Sequence, residues 1–381
     1  MKTEATYNGD LRIAIAGAGL LGRLLAWRLL RQGCEVHLFE KGALDPSPSA
    51  AHTAAAMISP MSEVVVSERA IYDLGVEALA LWPQWLEELR LEAGFQVHYA
   101  APGSLVVAHP ADVAELEQFH RDLEFHLGRD NRAVWLDRRD LAEREPDLAG
   151  QFEHALYLPD EAYLDNRQLL ACLLQEIERL GGRVQAHCEV RFTPAARIDG
   201  QALRGYHYII DCRGVGARDD QPGVRGVRGE VLWVRTEEVT LRHPVRLMHP
   251  RYKLYVVPRP DHRFIIGATE IESEDRSPVS VQSMLELCSA LYTLNPAFAE
   301  ARILELDANL RPAYWHNLPT VETAAVGTDI GESQRIVRVN GLYRHGYLLA
   351  PPLVEQALAR LGDSLAQDSS DTNGVYGHHQ H

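Results

Sequence analysis

Three glycines and one acid near the start of the chain have the types and spacing to hold a dinucleotide. Gly17, Gly19 and Gly22 make a G-x-G-x-x-G turn (GAGLLG) inside LRIAIAGAGLLGRLLAWRLLRQGCEVHLFE, residues 11–40, and Glu40 closes the second apolar strand. Gly17 permits a tight turn, Gly19 lets backbone amides approach a pyrophosphate, and Gly22 lets helix and sheet pack closely. The helix opening at Leu20 and Leu21 offers aligned N–H donors and partial positive charge to the phosphates. Glu40 is placed to accept hydrogen bonds from a ribose diol. A glycine turn alone serves many ordinary loops. Strand, turn, helix, strand and terminal acid together point to FAD or NAD.

The rest of the hydrophobic pattern must position that turn. The small-residue run SPSAAHTAAAMISPM (47–61) reads as backbone lying close to another object. Apolar residues at helical spacing over 68–93, among them Trp82 and Trp85, predict an amphipathic helix whose tryptophans serve the core. Residues 103–128 read as strand then helix. Asp165 as N-cap and Gly181 as stop bound another helix, and a strand follows near 184–186. YIIDC (208–212) is a buried strand that meets the turn Arg213-Gly214-Val215-Gly216. From Gly229 to Thr269 the period changes to alternation (EVLWVRT, KLYVVPR, RFIIGAT), which predicts an antiparallel sheet. Residues 281–294 read as helix, and 335–361 return to strand, turn and helix. The fold class is α/β: a Rossmann-like nucleotide-binding domain with an inserted antiparallel-sheet substrate domain. The pattern gives 11–85, 150–225 and 310–362 to the first domain, and 86–149 and 226–309 to the second. The polar run 363–381 reads as a disordered tail, and its closing histidines (378, 379 and 381) as part of that tail and not as a metal site.

A length of 381 residues suffices for such a composite, and 46% hydrophobic content supports a full core. A formal charge of −15 argues against nucleic acid or an anionic membrane surface as partner. No stretch is long and apolar enough to span a bilayer. The polar opening MKTEATYNGD does not read as a secretory signal. Cys34, Cys172, Cys188, Cys212 and Cys288 lack CxxC spacing and read as small buried thiols in a reducing cytoplasm.

Further motifs add a resemblance. With GAGLLG and Glu40 stand AAHTAAAM (50–57), DCRGVGA (211–217), LYVVPR and FIIGAT (254–269), NLRP (309–312) and GLYRHGYLLAP (341–351). On these the chain resembles the FAD-dependent amino-acid oxidases of the D-amino-acid oxidase superfamily, and is most similar there to the glycine oxidases of thiamine biosynthesis. The resemblance implies non-covalent FAD, with Gly17, Gly19, Leu20, Leu21 and Gly22 at the pyrophosphate, and Glu40 and Lys41 at the adenosine ribose. It implies Thr53 and Ala54 along the phosphates and flavin, and Gly214 near the adenine half. Arg311 would grip a substrate carboxylate, Tyr255 would add its hydroxyl, and Arg344 would lie near both flavin and carboxylate. The loop Arg344-His345-Gly346-Tyr347-Leu348 would aim amides at the flavin's oxygen end. The implied reaction is oxidative deamination of glycine or a small amine to an imine and then a 2-oxo acid. Dioxygen would be reduced to hydrogen peroxide, and the product would supply thiamine thiazole synthesis. The flavin carries the chemistry, so no side chain is assigned as catalytic.

The sequence departs from that pattern in three places. Glu270 follows GAT where relatives commonly carry an apolar residue; facing the pocket it would bear on the substrate, and facing solvent it would not. Arg213 replaces a commonly small residue, without an explanation in the sequence. His52 lies one position before the place where some relatives attach flavin covalently. The sequence leaves open which amine is preferred and whether the chain forms a homo-oligomer. Rival readings also stay open: a flavin dehydrogenase feeding a quinone or carrier, a nicotinamide-dependent dehydrogenase, and a flavin-binding accessory protein without turnover.

Overall fold

The apolar run Arg12–Ala16 becomes an interior strand of a six-stranded sheet because both its faces are covered: Ile13 and Ile15 pack against helices, and Ala14 and Ala16 against a small sheet of Val190–Arg191, Arg197–Ile198 and Gln201–Ala202. From one edge the order is Thr320–Gly327, Ser333–Asn340, Tyr208–Asp211, Arg12–Ala16, Glu35–Phe39 and Arg183–Gln185. The first pair is antiparallel and the rest are parallel. The computed structural model describes residues 11–375, apart from 130, 193–194, 199, 251–252 and 328–332. Helices Leu20–Arg31, Arg69–Ala93, Asn166–Arg179 and Gly346–Val375 bury their apolar stripes in one core with this sheet. Trp82 and Trp85 are buried within it, as the helical spacing predicts. Asp165 caps Asn166–Arg179, its carboxylate accepting from the amides of Arg167 and Gln168.

A second sheet of eight strands carries the alternating segments. Its order is Arg302–Ala313, Arg225–Arg235, Arg263–Gly267, Lys253–Arg259, Val245–Met248, Ser104–Ala108, His154–Leu158 and Val134–Asp137. All neighbours are antiparallel except Val245–Met248 with Ser104–Ala108, which are parallel. The helix Val281–Leu294 covers one face with a second apolar core.

The structure moves several sequence-drawn boundaries. His154–Leu158 falls inside the 150–225 stretch that the pattern gives to the nucleotide-binding part, yet it pairs in the eight-stranded sheet. The long strand Arg302–Ala313 runs across residue 310, and the helix Arg69–Ala93 across residue 85. Strand pairing is non-local, so a short apolar run such as HALYL does not state which sheet it will join. The run from residue 363 continues the last helix to Val375, where the polar composition predicts no structure. Leu361 and Leu365 recur at helical spacing and pack on the first core, and the buried Ser364 hydroxyl donates to the carbonyl of Arg360. The closing histidines lie outside the described residues. All five cysteines are free thiols. Among the described residues no helix is long and apolar enough to cross a membrane.

Gly22 shows how tightly the opening unit is packed. A Cβ there would sit 1.9 Å from the carbonyl oxygen of Gly17. Gly22→Ala should therefore cost about 1–3 kcal/mol, as overpacked sites do. Thermal melts of the FAD-stripped variant and wild type check this; equal midpoints would remove the packing role.

Candidate active site

The two sheets meet at a cavity of about 1010 Å³. One part of its wall comes from the first sheet's strand ends: Gly17, Gly19, Glu40, Lys41 and Gly214. Another part comes from the second sheet and the start of the last helix: Tyr255, Arg311, Glu270 and Arg344. Every site residue expected from sequence lines this cavity except Gly22, which instead packs beneath Gly17.

The nucleotide part separates the three glycines by role. Gly17 holds φ +96°, and a Cβ would meet the Cys212 carbonyl oxygen at 2.6 Å, so the turn itself requires glycine. Gly19 differs. It is the N-cap of Leu20–Arg31 with ordinary φ, and the nearest atom to an added Cβ is Ser49 Cβ at 3.6 Å. Among the described residues no atom comes closer to an added Cβ than that ordinary contact. That helix has no side-chain cap and no acid in its first turn, so its positive end is left to a ligand. Glu40 is braced by the amides of Ala18 (2.8 Å) and Gly42 (3.0 Å). Thr53 and Ala54 line the wall, the Thr53 hydroxyl donating to Asp307 at 2.7 Å. His52 approaches that same carboxylate at 3.9 Å. Arg213 has a structural explanation: its guanidinium, largely buried, donates to Asp211, Asp220 and the carbonyl of Val190 while stacking on Phe192. It ties the strand Tyr208–Asp211 to the segments beyond it.

At the other part, Arg311 and Tyr255 lie across glycine gaps in the floor of the eight-stranded sheet. A Cβ on Gly229 would be 2.4 Å from Arg311 Cζ, and one on Gly267 would be 2.6 Å from the Tyr255 hydroxyl. The Arg311 Nη2 donates to the carbonyl of Thr269 at 3.1 Å. Its Nη1 is buried without a partner among the described residues. A buried guanidinium donor left unmade is costly, so this atom calls for an anionic acceptor. Burial pushes the Tyr255 hydroxyl pKa up, against the pull of Arg311, Arg344 and Arg246, so it stays a donor at neutral pH.

Arg344, expected near flavin and carboxylate, is engaged by two acids of the chain itself. Its Nε and Nη2 fork onto Glu63 at 3.0 and 3.2 Å, and its Nη1 meets Glu270 at 3.0 Å. Glu63 also accepts from Arg246 Nη2 at 3.1 Å and contacts His345 Nε2 at 2.9 Å. Burial pushes the Glu63 pKa up, but Arg344, His345 and Arg246 together outweigh it and hold the carboxyl well below the usual range. Glu270 faces the pocket, its other oxygen accepting from the Tyr343 hydroxyl at 2.6 Å. The expected loop 344–348 is a 3₁₀ turn, Tyr343–His345, followed at Gly346 by the last helix. Its first amides lack intrahelical acceptors because they open a helix, and its first turn has no acid. Tyr347 is buried with its hydroxyl donating to the carbonyl of Ala51, and Leu348 packs against Gly75.

Glu63 and Arg246 lie outside every motif, while Tyr343 and Gly267 fall inside GLYRHGYLLAP and FIIGAT and Gly229 opens the alternating stretch, none of them with a role expected from the sequence. Gly229 and Gly267 interrupt otherwise alternating strands, which is the one local signal of close approach the sequence carries there.

A family model described as FAD dependent oxidoreductase (DAO) matches residues 12–359. The chain belongs to this family. Among curated relatives, a Rhizobium etli protein carrying the name thiamine biosynthesis oxidoreductase ThiO is 39% identical over 351 residues, covering 92% of this chain and 96% of that protein. The glycine oxidase of Geobacillus kaustophilus is 27% identical over 349 residues, covering 89% of each. The crystal structure of glycine oxidase from Geobacillus kaustophilus superposes with a TM-score of 0.76 at 25% identity, over 92% of this chain and 95% of that one. The residues present fit the family's cofactor: an uncapped helix start, open space at Gly19 and a braced acid at Glu40 suit a pyrophosphate and ribose. In this FAD-dependent oxidoreductase the second helix start, at Gly346, adds positive potential to the same cavity.

Two substitutions separate cofactor from substrate functions. Gly19→Val should yield largely FAD-free protein while losing only about 1 kcal/mol of fold stability, the size of an N-cap effect; visible absorbance and a melt measure both, and full FAD occupancy would contradict the phosphate assignment. Gly229→Ala should push the Arg311 guanidinium off the sheet floor. Binding of small carboxylates should weaken roughly ten- to hundredfold, the worth of a charged hydrogen bond, with FAD content unchanged. Wild-type acetate affinity in this variant would show that Arg311 does not need the gap.

Proposed function

We propose that the chain oxidises glycine or a closely related small amino acid, with non-covalent FAD, and that its product supplies thiazole synthesis for thiamine. One observation carries the substrate class: the buried, unpartnered Nη1 of Arg311 beside a protonated Tyr255. Charge supports it. Of the arginines and glutamates described above at this end, three arginines (246, 311 and 344) against two glutamates (63 and 270) leave one positive charge. A substrate with one carboxylate and a neutral amine balances that charge.

Each group then has a defined task. Arg311 holds the carboxylate through its planar fork, and Tyr255 adds a donor from the neighbouring floor position. Arg344 is taken up by Glu63 and Glu270 and shapes the wall instead of gripping the ligand. Bound FAD supplies a two-electron acceptor. The protein's part is to fix the amino acid's orientation and exclude water, and positioning of this kind is worth up to about 7–11 kcal/mol in ideal cases. For glycine the net reaction consumes dioxygen and water and gives glyoxylate, ammonia and hydrogen peroxide. The names of the Rhizobium and Geobacillus relatives support both the substrate and the pathway. The position of His52, turned to Asp307 while Thr53 meets the cavity, supports a cofactor held without a covalent bond.

Arg311→Lys keeps the charge and loses the fork. Its kcat/KM for glycine should fall roughly ten- to hundredfold, with FAD content at the wild-type level. Peroxide release measured against glycine and against simple amines checks the assignment. Near-wild-type glycine oxidation in Arg311→Ala would overturn it.

A further inference from the structure

Arg344 and Tyr343 converge on one carboxylate, and that carboxylate belongs to the chain. The Arg344 Nη1 lies 3.0 Å from Glu270 Oε2, and the Tyr343 hydroxyl donates to Glu270 Oε1 at 2.6 Å. An arginine paired with a tyrosine is the same donor chemistry that Arg311 and Tyr255 present to the cavity. The site thus contains two carboxylate-binding pairs. One has an unpartnered donor at Arg311, and the other is engaged by an internal acid.

We propose that Glu270 is a specificity-determining residue: it occupies the position at Arg344 and Tyr343 that a second substrate carboxylate would take, and so restricts the site to amines bearing one carboxylate. The inference rests on the reading of Arg311 as the carboxylate anchor. Two features make Glu270 suited to the task and Glu63 unsuited. The Glu63 side chain is 11% exposed and its two oxygens meet Arg344, Arg246 and His345, so it is part of the wall. The Glu270 side chain is 39% exposed and borders the cavity, where an incoming anion would meet it. A dicarboxylate would bring a like charge against Glu270. Removing that charge leaves Arg344 still forked onto Glu63, so its Nη1 is presented to the cavity without loss of the guanidinium's orientation.

The test uses FAD-loaded protein and calorimetric binding of unreactive acids: glycolate with one carboxylate, and malonate and diglycolate with two at different spacings. Wild type should bind glycolate in preference to both diacids. In Glu270→Gln and Glu270→Ala the affinity of the better diacid relative to glycolate should rise roughly ten- to hundredfold, the worth of one charge-assisted pair. Turnover should follow, with glycine carrying a second carboxymethyl arm on nitrogen gaining on glycine itself. The alanine variant vacates the position completely, so an amide that simply replaces the acid at Arg344 does not mask the effect. An unchanged diacid-to-glycolate ratio in both variants overturns the role of Glu270 while leaving Arg311 in place. Failure of the wild type to bind glycolate overturns the Arg311 reading and this inference with it.

Discussion

Glu63 places a negative charge where little water reaches, and the substrate side of the cavity is organised around satisfying it. A carboxylate offers about four acceptor positions. Arg246 and Arg344 meet one oxygen, and Arg344 and His345 meet the other. The donors come from the eight-stranded sheet and from the turn before the last helix, while Glu63 sits on the short helix Pro60–Val64. One side chain therefore fixes three segments relative to one another. Leaving such a charge buried without partners costs several kcal/mol, so these segments are held in register by electrostatics as well as by apolar packing.

That arrangement also divides the arginines. With Arg344 and Arg246 engaged by Glu63, the unpartnered cationic donor that remains best placed for a ligand is on Arg311. Its direction comes from the backbone: the guanidinium lies flat because Gly229 has no side chain, as the Tyr255 ring lies flat over Gly267. A larger residue at either place would lift a donor off the floor. Sheet register at Gly229 and Gly267 and the tight turn at Gly17 both rely on close backbone approach that only glycine allows, and on the proposed reading the first would serve the substrate and the second the nucleotide.

Much of this was legible in the sequence where the signal is local. The nucleotide turn, its flanking strands, Glu40 and the helix over 68–93 follow from period and glycine spacing within one contiguous stretch. The location of Arg311, Tyr255 and Arg344 around one cavity followed from the family resemblance, which left the direction of Glu270 open. The task of Arg344 did not, because it depends on Glu63, which lies far away in the chain and looks like any acid in an amphipathic stretch. Arg246 was hidden for the same reason: its partner is set by which strands pair. His154–Leu158 shows the limit on the fold, since five residues do not encode their neighbour. Arg213 shows it for polar residues, since a buried ion pair with Asp211 and Asp220 reads in sequence as an ordinary charge.

Two helices begin at this cavity, Leu20–Arg31 and Gly346–Val375, and neither has an acid in its first turn. Helix starts commonly carry one, because a carboxylate there is worth about 0.3–1 kcal/mol. Forgoing it twice at one cavity leaves both positive ends to be met by a ligand. The acids that do stand nearby are held away from those amides: Glu40 is braced by Ala18 and Gly42, and Glu63 and Glu270 are drawn to arginines. The first helix start then suits a pyrophosphate, whose charge is permanent. On the proposed reading the second would meet a group on which negative charge appears only during reaction, beside an Arg344 already shared between Glu63 and Glu270. On that reading the same backbone device would serve binding at one place and charge development at the other, the difference being set by which side chains stand beside it.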